Sequence, residues 1–484
     1  MAAVDAAYIA AWLLPALVGG GVWTLLRGPA RGPADVAAAV GAGWLIGVLI
    51  AACCARFAAY GDTAHAFARA WPWCAAIGVA AWIAALARMR GQPHGFFVRA
   101  PAMRAPLRVV WWLLLAWIVA RLALLGDEAS LRPVFPWDAW SAWAVKPKTW
   151  FLLGHAEPYV SMLQWLANPN LAARTAASWG YPELLAWMQL WFASAAGAWN
   201  EPLVDVAWCG ALAAFSLAAY GYWRALGLQA WLALALVYAL VSLPLIDAHV
   251  ALAGYADLWL ALTLGLVTLA WVRWIVEGER GQLALAACLA LCLPAIKLEG
   301  AVWLLTFGGV AALDRLPRRW RWPILGAIAI AAIVAVTAGA FGPVSVSWNR
   351  IEIPSLGMFA LAWHGVGGAM VASLFTLPNW HLFWYAVPVL LVLRGKRFGR
   401  DRAARMLGLM LLIDFAFLFV LFFLTTASAW AQVFTSANRL ILQLVPSVLV
   451  LAATLLRPLA SEDAAVSAAR PRTAPTSAVP SVPA

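Results

Sequence analysis

The chain has 484 residues, of which 65% are hydrophobic and only 11% are charged, and its mean hydropathy is +0.83. Soluble proteins are on average about 45–50% apolar and about 25% charged, so this chain has too few polar residues to cover a water-soluble core. The formal charge of +12 then indicates membrane topology rather than nucleic-acid binding. Because the apolar runs are long and continuous, they predict an all-α polytopic membrane protein and not a β-barrel.

Apolar runs of about 17–25 residues are each long enough to cross a bilayer once. We predict thirteen such spans, which lie near residues 7–26, 35–55, 70–88, 106–125, 203–223, 229–246, 257–275, 281–296, 299–313, 323–341, 380–394, 406–424 and 437–456. Two further apolar segments, 181–199 and 356–378, are interpreted as helices that lie flat at the outer membrane interface.

The distribution of positive charge predicts the orientation. If segments 181–199 and 356–378 do not cross, most of the 33 Lys and Arg residues fall in loops on one side, which is then the cytoplasmic side. The N-terminus is then outside, the C-terminus is inside, and one long loop, 126–202, lies outside. The other outer connections are 246–256, 297–298, 342–379 and 425–436.

We divide the chain into three regions on this basis. Residues 1–105 hold three N-terminal spans, and residues 106–456 hold the main bundle with its long outer loop. Residues 457–484 are rich in Ala, Pro, Ser and Thr and are predicted to be a disordered cytoplasmic tail.

The long outer loop carries one acidic residue among tryptophans. Asp138 follows Trp137 and precedes Trp140 and Trp143. A helix that begins here places Asp138 in its first turn, where the helix dipole favours a carboxylate. A capping carboxylate on an interfacial helix explains the same pattern, so these residues alone leave the role of Asp138 open.

The next outer connections carry further charged residues. Asp257 opens a span, where a helix cap explains it equally well, and together with His249 it could ligate a divalent cation, although the spacing is not diagnostic. Lys297 and Glu299 close the third outer turn and could simply pair with each other. Arg439 begins the last span, where a snorkelling side chain is the alternative.

Three of the four lysines, Lys146, Lys148 and Lys297, lie on the predicted outer side, which the positive-inside rule disfavours. A carboxylate can activate an acceptor hydroxyl as a general base, and fixed cations can neutralise a phosphate leaving group. Tryptophan faces suit sugar rings and prenyl chains. These residue types are therefore those required for glycosyl transfer from a lipid phosphate.

In this order the residues resemble the GT-C superfamily of polyprenyl-phosphate-sugar glycosyltransferases, in the manner of the protein mannosyltransferases and the lipid A aminoarabinose transferases. The resemblance covers about residues 106–456. Its elements are Asp138 followed by Gly154, the helix start Tyr181-Pro182, Tyr255-Ala256-Asp257, Lys297-Leu298-Glu299-Gly300, and Arg439-Leu440 through Pro446.

This sequence departs from the family pattern at two places. The three N-terminal spans are additional to the family pattern. The Asp-Glu pair of the family matches Asp127-Glu128 more closely in residue type than it matches Asp138. Asp138 is preferred on its spacing to Gly154 and to Tyr181-Pro182.

The resemblance implies a GT-C-like bundle with interfacial helices in its first outer loop. We expect Asp138 and Asp257 to be the catalytic carboxylates. The donor phosphate would contact Lys146, Lys148, Lys297 and Arg439, and the candidate substrate contacts are Trp137, Trp140, Trp143, His155, Tyr181, Tyr255 and Glu299.

The implied reaction is an inverting transfer of a monosaccharide from a polyprenyl-phosphate donor to a hydroxyl of a glycan, lipid or protein. It takes place on the periplasmic face of the bacterial inner membrane, with or without a divalent metal (Mg²⁺ or Mn²⁺). Two other classes stay open. An O-antigen ligase or polymerase would carry its long outer loop late in the chain, and a lipid-linked-sugar flippase would show inverted repeats and broken helices.

Overall fold

The computed structural model describes residues 6–90, 103–168, 170–317, 319–320, 323, 326–327, 330, 340–341, 344–347, 350–353 and 357–458. The first helices are α1 (Ala6–Arg27), α2 (Pro33–Ala58), α3 (Ala66–Met89), α4 (Ala105–Leu131), α5 (Val145–Leu153), α6 (Met162–Ala167), α7 (Leu184–Ala195), α8 (Glu201–Ala225), α9 (Ala230–Val241) and α10 (Pro244–Ala251). They are followed by α11 (Ala256–Glu277), α12 (Arg280–Ile296), α13 (Gly300–Arg315), α14 (Gly367–Val371), α15 (Phe383–Arg394), α16 (Arg397–Arg400), α17 (Arg402–Leu424), α18 (Ser428–Gln432) and α19 (Ser436–Leu456).

Eight helical stretches in the described ranges are long and apolar enough to cross a membrane. They are α1, α2, Thr63–Met89, α4, α8, α11, α17 and α19. A ninth candidate is the pair α9 and α10, which is bent by 62° at a short break. The prediction of a multi-pass α-helical membrane protein is therefore confirmed.

The predicted number of thirteen spans is not confirmed. The expected span at 380–394 corresponds to α15, whose 12 residues are only about 18 Å long, whereas the hydrocarbon core is about 30 Å thick. The expected spans at 281–296 and 299–313 correspond to α12 and α13, which have 17 and 16 residues. The expected span at 323–341 lies mostly outside the described residues, as does the predicted tail beyond residue 458.

Segment 181–199, which was predicted to lie flat at the outer membrane interface, contains a helix that is enclosed by the rest of the protein. Its central helix, α7, has 12 residues, and almost all of them are buried against α1, α2, α3 and α8. Trp191 Nε1 donates to Ala11 O at 3.0 Å, and Ser194 Oγ accepts from Phe67 N at 2.8 Å. A helix that is apolar all round is suited either to a protein core or to lipid, and these contacts show that α7 lies in the protein core.

Segment 356–378 is not one helix, so the prediction of an interfacial helix over its whole length was wrong. It begins with a strand in an antiparallel sheet of four short strands: β3 (Ala340–Phe341), β4 (Val344–Ser347), β5 (Arg350–Ile353) and β6 (Gly357–Ala360). The register pairs Val346 with Ile351 and Ser345 with Glu352. Alternation of apolar and polar residues along β4 and β5 is typical of a half-buried strand pair, so the sequence did contain the signal. Helix resumes only at α14.

The ends of the helices meet in two sets. At one end, Arg273 of α11 pairs with Asp35 of α2 at 2.6 Å, and Arg402 of α17 pairs with Asp314 of α13 at 2.8 Å. Arg457, after α19, pairs with Asp401 at 2.9 Å. We call this the basic end. These contacts bring together loops that the distribution of charge had assigned to one side.

At the opposite end, which we call the aromatic end, the loop after α4 lies against the turn between α2 and α3. Thr63 N donates to Gly154 O at 3.0 Å, and Ala156 N donates to Tyr60 O at 2.9 Å. The same loop contains two short parallel strands, β1 (Tyr159–Val160) and β2 (Arg174–Thr175). The N-terminal helices therefore support the long loop directly.

The bundle centre is formed by α8, α11 and α19. Gly265 of α11 faces Pro446 of α19 and Phe215 of α8, and a Cβ on this glycine would come within 2.6–2.7 Å of both. This close approach fixes the relative position of α11 and α19. Both helices begin at the aromatic end with charged residues.

The break between α9 and α10 is stabilised by an arginine of α4. Arg121 Nε donates to Val241 O, the last residue of α9, at 2.8 Å, and the guanidinium also pairs with Asp247 of α10. The arginine thus binds a carbonyl that the break frees from helical hydrogen bonding.

Candidate active site

A buried carboxylate connects three elements at the aromatic end. Asp257, in the first turn of α11, is fully buried, and its Oδ1 accepts from Lys297 Nζ at 2.8 Å and from Gln443 Nε2 at 2.7 Å. Gln443 Oε1 in turn accepts from Trp303 Nε1 of α13 at 2.8 Å. The network joins the start of α11, the turn between α12 and α13, and α19.

Lys297 lies in the extended turn that follows α12. Its ammonium also lies 3.0 Å from Glu299 Oε1. Burial by itself would lower the pKa of Lys297, but the neighbouring Asp257 and Glu299 carboxylates outweigh it and raise the pKa above its ordinary value. Lys297 is therefore a fixed positive charge.

A second ion pair connects the long loop to the last helix. Arg439 NH1 lies 2.5 Å from Asp138 Oδ2, and the guanidinium lies 5.2 Å from the centre of the Tyr255 ring. The Asp138 side chain is 40% exposed and that of Arg439 is 19% exposed. Asp138 is accessible to a substrate, whereas Asp257 is not.

Arg439 and Gln443 lie one turn apart on α19, so their side chains share a face. That face brings the pair Asp138–Arg439 beside the network of Asp257, and the carboxylate of Asp257 stabilises the charge of Arg439. The structure thus brings together Asp138, Asp257, Lys297, Glu299 and Arg439. Sequence reasoning had missed Gln443, although its spacing from Arg439 was a usable signal.

Two tyrosines border this cluster. Tyr255 precedes α11 and lies 5.2 Å from His249, ring centre to ring centre. Burial raises the pKa of Tyr181, and the charges of Lys297, Glu299, Asp138 and Arg439 all act on its hydroxyl. Burial raises the pKa of Tyr255 as well, so both tyrosines are neutral groups beside the ion pairs.

Lys146 supports the loop instead of facing the cluster. Its buried Nζ donates to the backbone carbonyls of Trp179 and Tyr181, at 2.9 and 2.8 Å. Burial lowers the pKa of Lys146, and the nearby Glu183 partly offsets this effect. The lysine thus holds the segment that carries Tyr181.

Lys148 and His155 pair elsewhere in the long loop. Lys148 Nζ lies 2.7 Å from Glu201 Oε1 at the start of α8. His155 Nε2 lies 3.2 Å from Glu157, which also pairs with Arg174. The structure does not bring either residue to Asp257 through any contact in the described residues.

The three tryptophans around Asp138 have different surroundings. Trp137 and Trp140 are exposed and lie edge to face, with ring centres 4.8 Å apart. Trp143 is buried, with its ring centre 5.0 Å from that of Tyr181. The exposed pair offers an aromatic surface beside Asp138, while Trp143 packs the loop against the bundle.

The alternative acidic pair lies within α4. Glu128 pairs with Arg132 of its own helical turn at 2.8 Å, and both side chains are largely exposed. Asp127 accepts through its backbone carbonyl from Ser130. In the described residues neither carboxylate contacts Lys297 or Arg439, which favours Asp138 as the candidate base.

The residues present fit a divalent metal poorly. His249 Nδ1 forms a hydrogen bond with Leu245 O at 2.7 Å. In the described residues, the buried atoms His249 Nε2 and Asp257 Oδ2 have no hydrogen-bond partner. Two such atoms are fewer than the six oxygen ligands that Mg²⁺ prefers. No group of three or more His, Cys, Asp or Glu side chains in the described part of the chain could hold a metal ion.

Comparison of the chain with protein-family models, with curated proteins and with solved structures finds no match.

Proposed function

We propose that the chain is a membrane glycosyltransferase that moves a monosaccharide from a polyprenyl-phosphate donor to an acceptor hydroxyl. The observation that carries the proposal is the accessible ion pair Asp138–Arg439 beside the buried network Asp257–Lys297–Gln443. One carboxylate is exposed for proton transfer and two cations are fixed nearby. This is the arrangement that a hydroxyl nucleophile and a phosphate leaving group require.

Each charged group has a distinct role in this proposal. The donor phosphate binds Arg439 and releases Asp138, which then accepts the proton of the acceptor hydroxyl. Lys297 adds positive charge as the phosphate leaves, and Asp257 is a positioning residue that holds Lys297 in place. The exposed pair Trp137–Trp140 provides a stacking surface for a sugar ring or a prenyl chain.

The site is assigned to the periplasmic face of a bacterial inner membrane. Support comes from the basic end of the bundle, which the positive-inside rule places in the cytoplasm. The aromatic end is then outside, where sugars arrive on lipid phosphates.

The test compares envelope glycans and lipid-linked sugars, by mass spectrometry, between a deletion strain and its complemented derivatives. We expect loss of one glycan modification and accumulation of its polyprenyl-phosphate donor. Wild type and Asp127→Asn should restore the product, whereas Asp138→Asn should lower the transfer rate by about 10²–10⁴-fold. Full restoration by Asp138→Asn, with loss on changing Asp127, would reverse the assignment of the base.

An activity assay in detergent distinguishes a glycosyltransferase from a lipid-linked-sugar transporter. The break between α9 and α10 is a feature of the described residues that favours a flippase, because transporters use discontinuous helices. Purified protein in detergent has no two-sided membrane, so a flippase yields no product there. Transfer of labelled sugar from the accumulated donor to the acceptor in detergent supports the enzyme, and its absence with folded protein contradicts it.

A further inference from the structure

A large cavity lies at the basic end, on the opposite side of the bundle from the candidate active site. Its volume is about 860 Å³, and it opens between α2, α4, α8 and α11. Its charged lining residues are Arg27, Arg31, Asp35, Arg108, Arg224, Arg273, Glu277 and Glu279. Five arginines therefore face three carboxylates, which leaves a net positive charge.

The buried part of the lining has unused hydrogen-bond donors. Arg273 is 2% exposed and Arg27 is 6% exposed. Arg273 NH2 donates to Asp35 at 2.6 Å, but the NH1 atoms of both arginines have no hydrogen-bond partner in the described residues. A buried charged donor without an acceptor is costly. Asp35, Glu277 and Glu279 pair with these two arginines and balance their charge, so the net positive charge of the lining lies at its more exposed arginines.

The exposed part of the lining also has free positive charge. Arg108 makes no hydrogen bond through its side chain and no ion pair in the described residues. Arg224 donates to the backbone carbonyl of Leu228 and so keeps its full charge. Arginine binds phosphate oxygens with two parallel hydrogen bonds, and these side chains are placed where a phosphate could enter.

The position of the cavity favours a lipid over a soluble anion. Trp112 follows Arg108 by one turn of α4, also lines the cavity and is 59% exposed. The helix α4 is an apolar candidate span with little of its surface buried. Tryptophan and arginine together are typical of the membrane–water boundary, and basic pockets between membrane helices bind acidic headgroups.

We propose that this cavity binds the phosphate group of an anionic membrane lipid, whose acyl chains lie along the exposed face of α4. The site is independent of the proposed transfer reaction. The site recognises the charge of the lipid phosphate and the insertion of the acyl chains beside Trp112. It does not depend on the chemical identity of the rest of the headgroup.

The experiment measures lipid binding to the purified full-length protein in neutral detergent by native mass spectrometry. The probes are phosphatidylglycerol, phosphatidylcholine and inorganic phosphate as a competitor. Arg108→Gln should weaken binding of phosphatidylglycerol about tenfold, which corresponds to about 1.4 kcal/mol, because the variant loses a charge-assisted hydrogen bond to the phosphate. The matched control is Arg104→Gln, which removes the same charge one turn away, at a residue that does not line the cavity.

Arg224→Gln is the second variant, and both Arg→Gln variants at the cavity should keep the thermal unfolding midpoint of the lipid-free protein. Equal binding of phosphatidylglycerol and phosphatidylcholine would overturn the proposal. It would also be overturned if Arg104→Gln weakened binding as much as Arg108→Gln. Displacement of the lipid by inorganic phosphate at equal concentration would overturn the choice of a lipid as ligand.

Discussion

Lys146 and Lys148 lie two residues apart and have different environments. The ammonium of Lys146 is buried and binds two backbone carbonyls, whereas that of Lys148 is half-exposed and binds Glu201. No sequence pattern distinguishes them, because the carbonyls that Lys146 binds lie more than thirty residues further along the chain. Both had been expected to contact the donor phosphate.

The two lysines provide a matched pair of substitutions. Lys146→Met leaves two carbonyls without donors, so we expect a loss of about 1–3 kcal/mol in the free energy of unfolding. Lys148→Met removes an exposed ion pair and should cost less than about 1 kcal/mol. Chemical denaturation in detergent measures both values. Equal effects would show that Lys146 does not hold the segment of Tyr181.

Removal of one partner of the buried pair Asp257–Lys297 is expected to lower the free energy of unfolding. Asp257→Asn leaves a buried ammonium with only Glu299 as counter-charge, and breaking such a pair costs about 3–5 kcal/mol. The double variant Asp257→Asn, Lys297→Met removes both charges and should be more stable than the sum of the single variants predicts. A double-mutant cycle of unfolding midpoints tests this, and additive effects would contradict a direct interaction.

The charged residues of the candidate site were predictable because each begins or ends a helix at the aromatic end. Asp257, Lys297 and Arg439 stand at span boundaries, so the order of spans placed them on one side. Gln443 and Trp303 lie within helices. The spacing of Gln443 from Arg439 shows that the two residues share a face of α19, but the sequence does not show which helices that face contacts. Their role follows only from the packing of α11 against α13 and α19.

At the scale of elements, the turn between α12 and α13 depends on a glycine. A Cβ on Gly300 would lie 2.1 Å from Leu293 O, so the two helix ends approach as closely as they do because this residue has no side chain. Lys297 lies in this turn, three residues before Gly300, so the close approach of the two helix ends fixes its position. Gly308 of α13, in contrast, has no atom within 4 Å of such a Cβ.

These two glycines allow a controlled test of the turn. Gly300→Ala should destabilise the protein by about 1–3 kcal/mol through overpacking and should lower the transfer rate by moving Lys297. Gly308→Ala should be neutral or stabilising by up to about 1 kcal/mol, because alanine favours a helix over glycine. Thermal unfolding and the transfer assay provide the two measurements. An active, stable Gly300→Ala variant would contradict the close packing of the turn.

The segments 181–199 and 356–378 had ambiguous or overlooked local signals. The segment of α7 is apolar on every side, which suits a lipid-exposed helix and an enclosed helix equally well by composition. Only the contacts with α1, α2 and α3 decide between them. Apolar and polar residues alternate along β4 and β5, which is a signal for strands. The apolar run that follows favoured a helix, so the short strands were not predicted.

At the scale of the whole molecule, the distribution of basic residues predicted which loops meet. The ion pairs Arg273–Asp35, Arg402–Asp314 and Arg457–Asp401 gather those loops at one end. Sequence could not provide the number of spans, because α12, α13 and α15 are shorter than a full crossing and their apolar runs do not show where each helix stops.

The orientation is tested with topology reporters at two exposed glycines. Gly197 lies between α7 and α8 at the aromatic end, and Gly278 lies after α11 at the basic end; both have a positive φ in surface turns. A periplasm-active reporter inserted at Gly197 should be active, and one inserted at Gly278 should be silent. The opposite result would place the candidate active site in the cytoplasm.

The contact between Arg121 of α4 and Asp247 of α10 has a consequence for biogenesis. Arg121 and its partner Asp247 are separated by 126 residues in the chain, which takes roughly 6–25 s to synthesise at about 5–20 residues per second. During that interval α4 enters the bilayer with an unpaired arginine, a cost of about 2.5–3.5 kcal/mol at the middle of a helix. Arg121 therefore stays without Asp247 until α10 emerges, and we expect crosslinking of α4 to the insertion machinery to be stronger in nascent chains that stop before Asp247 than in chains that include it.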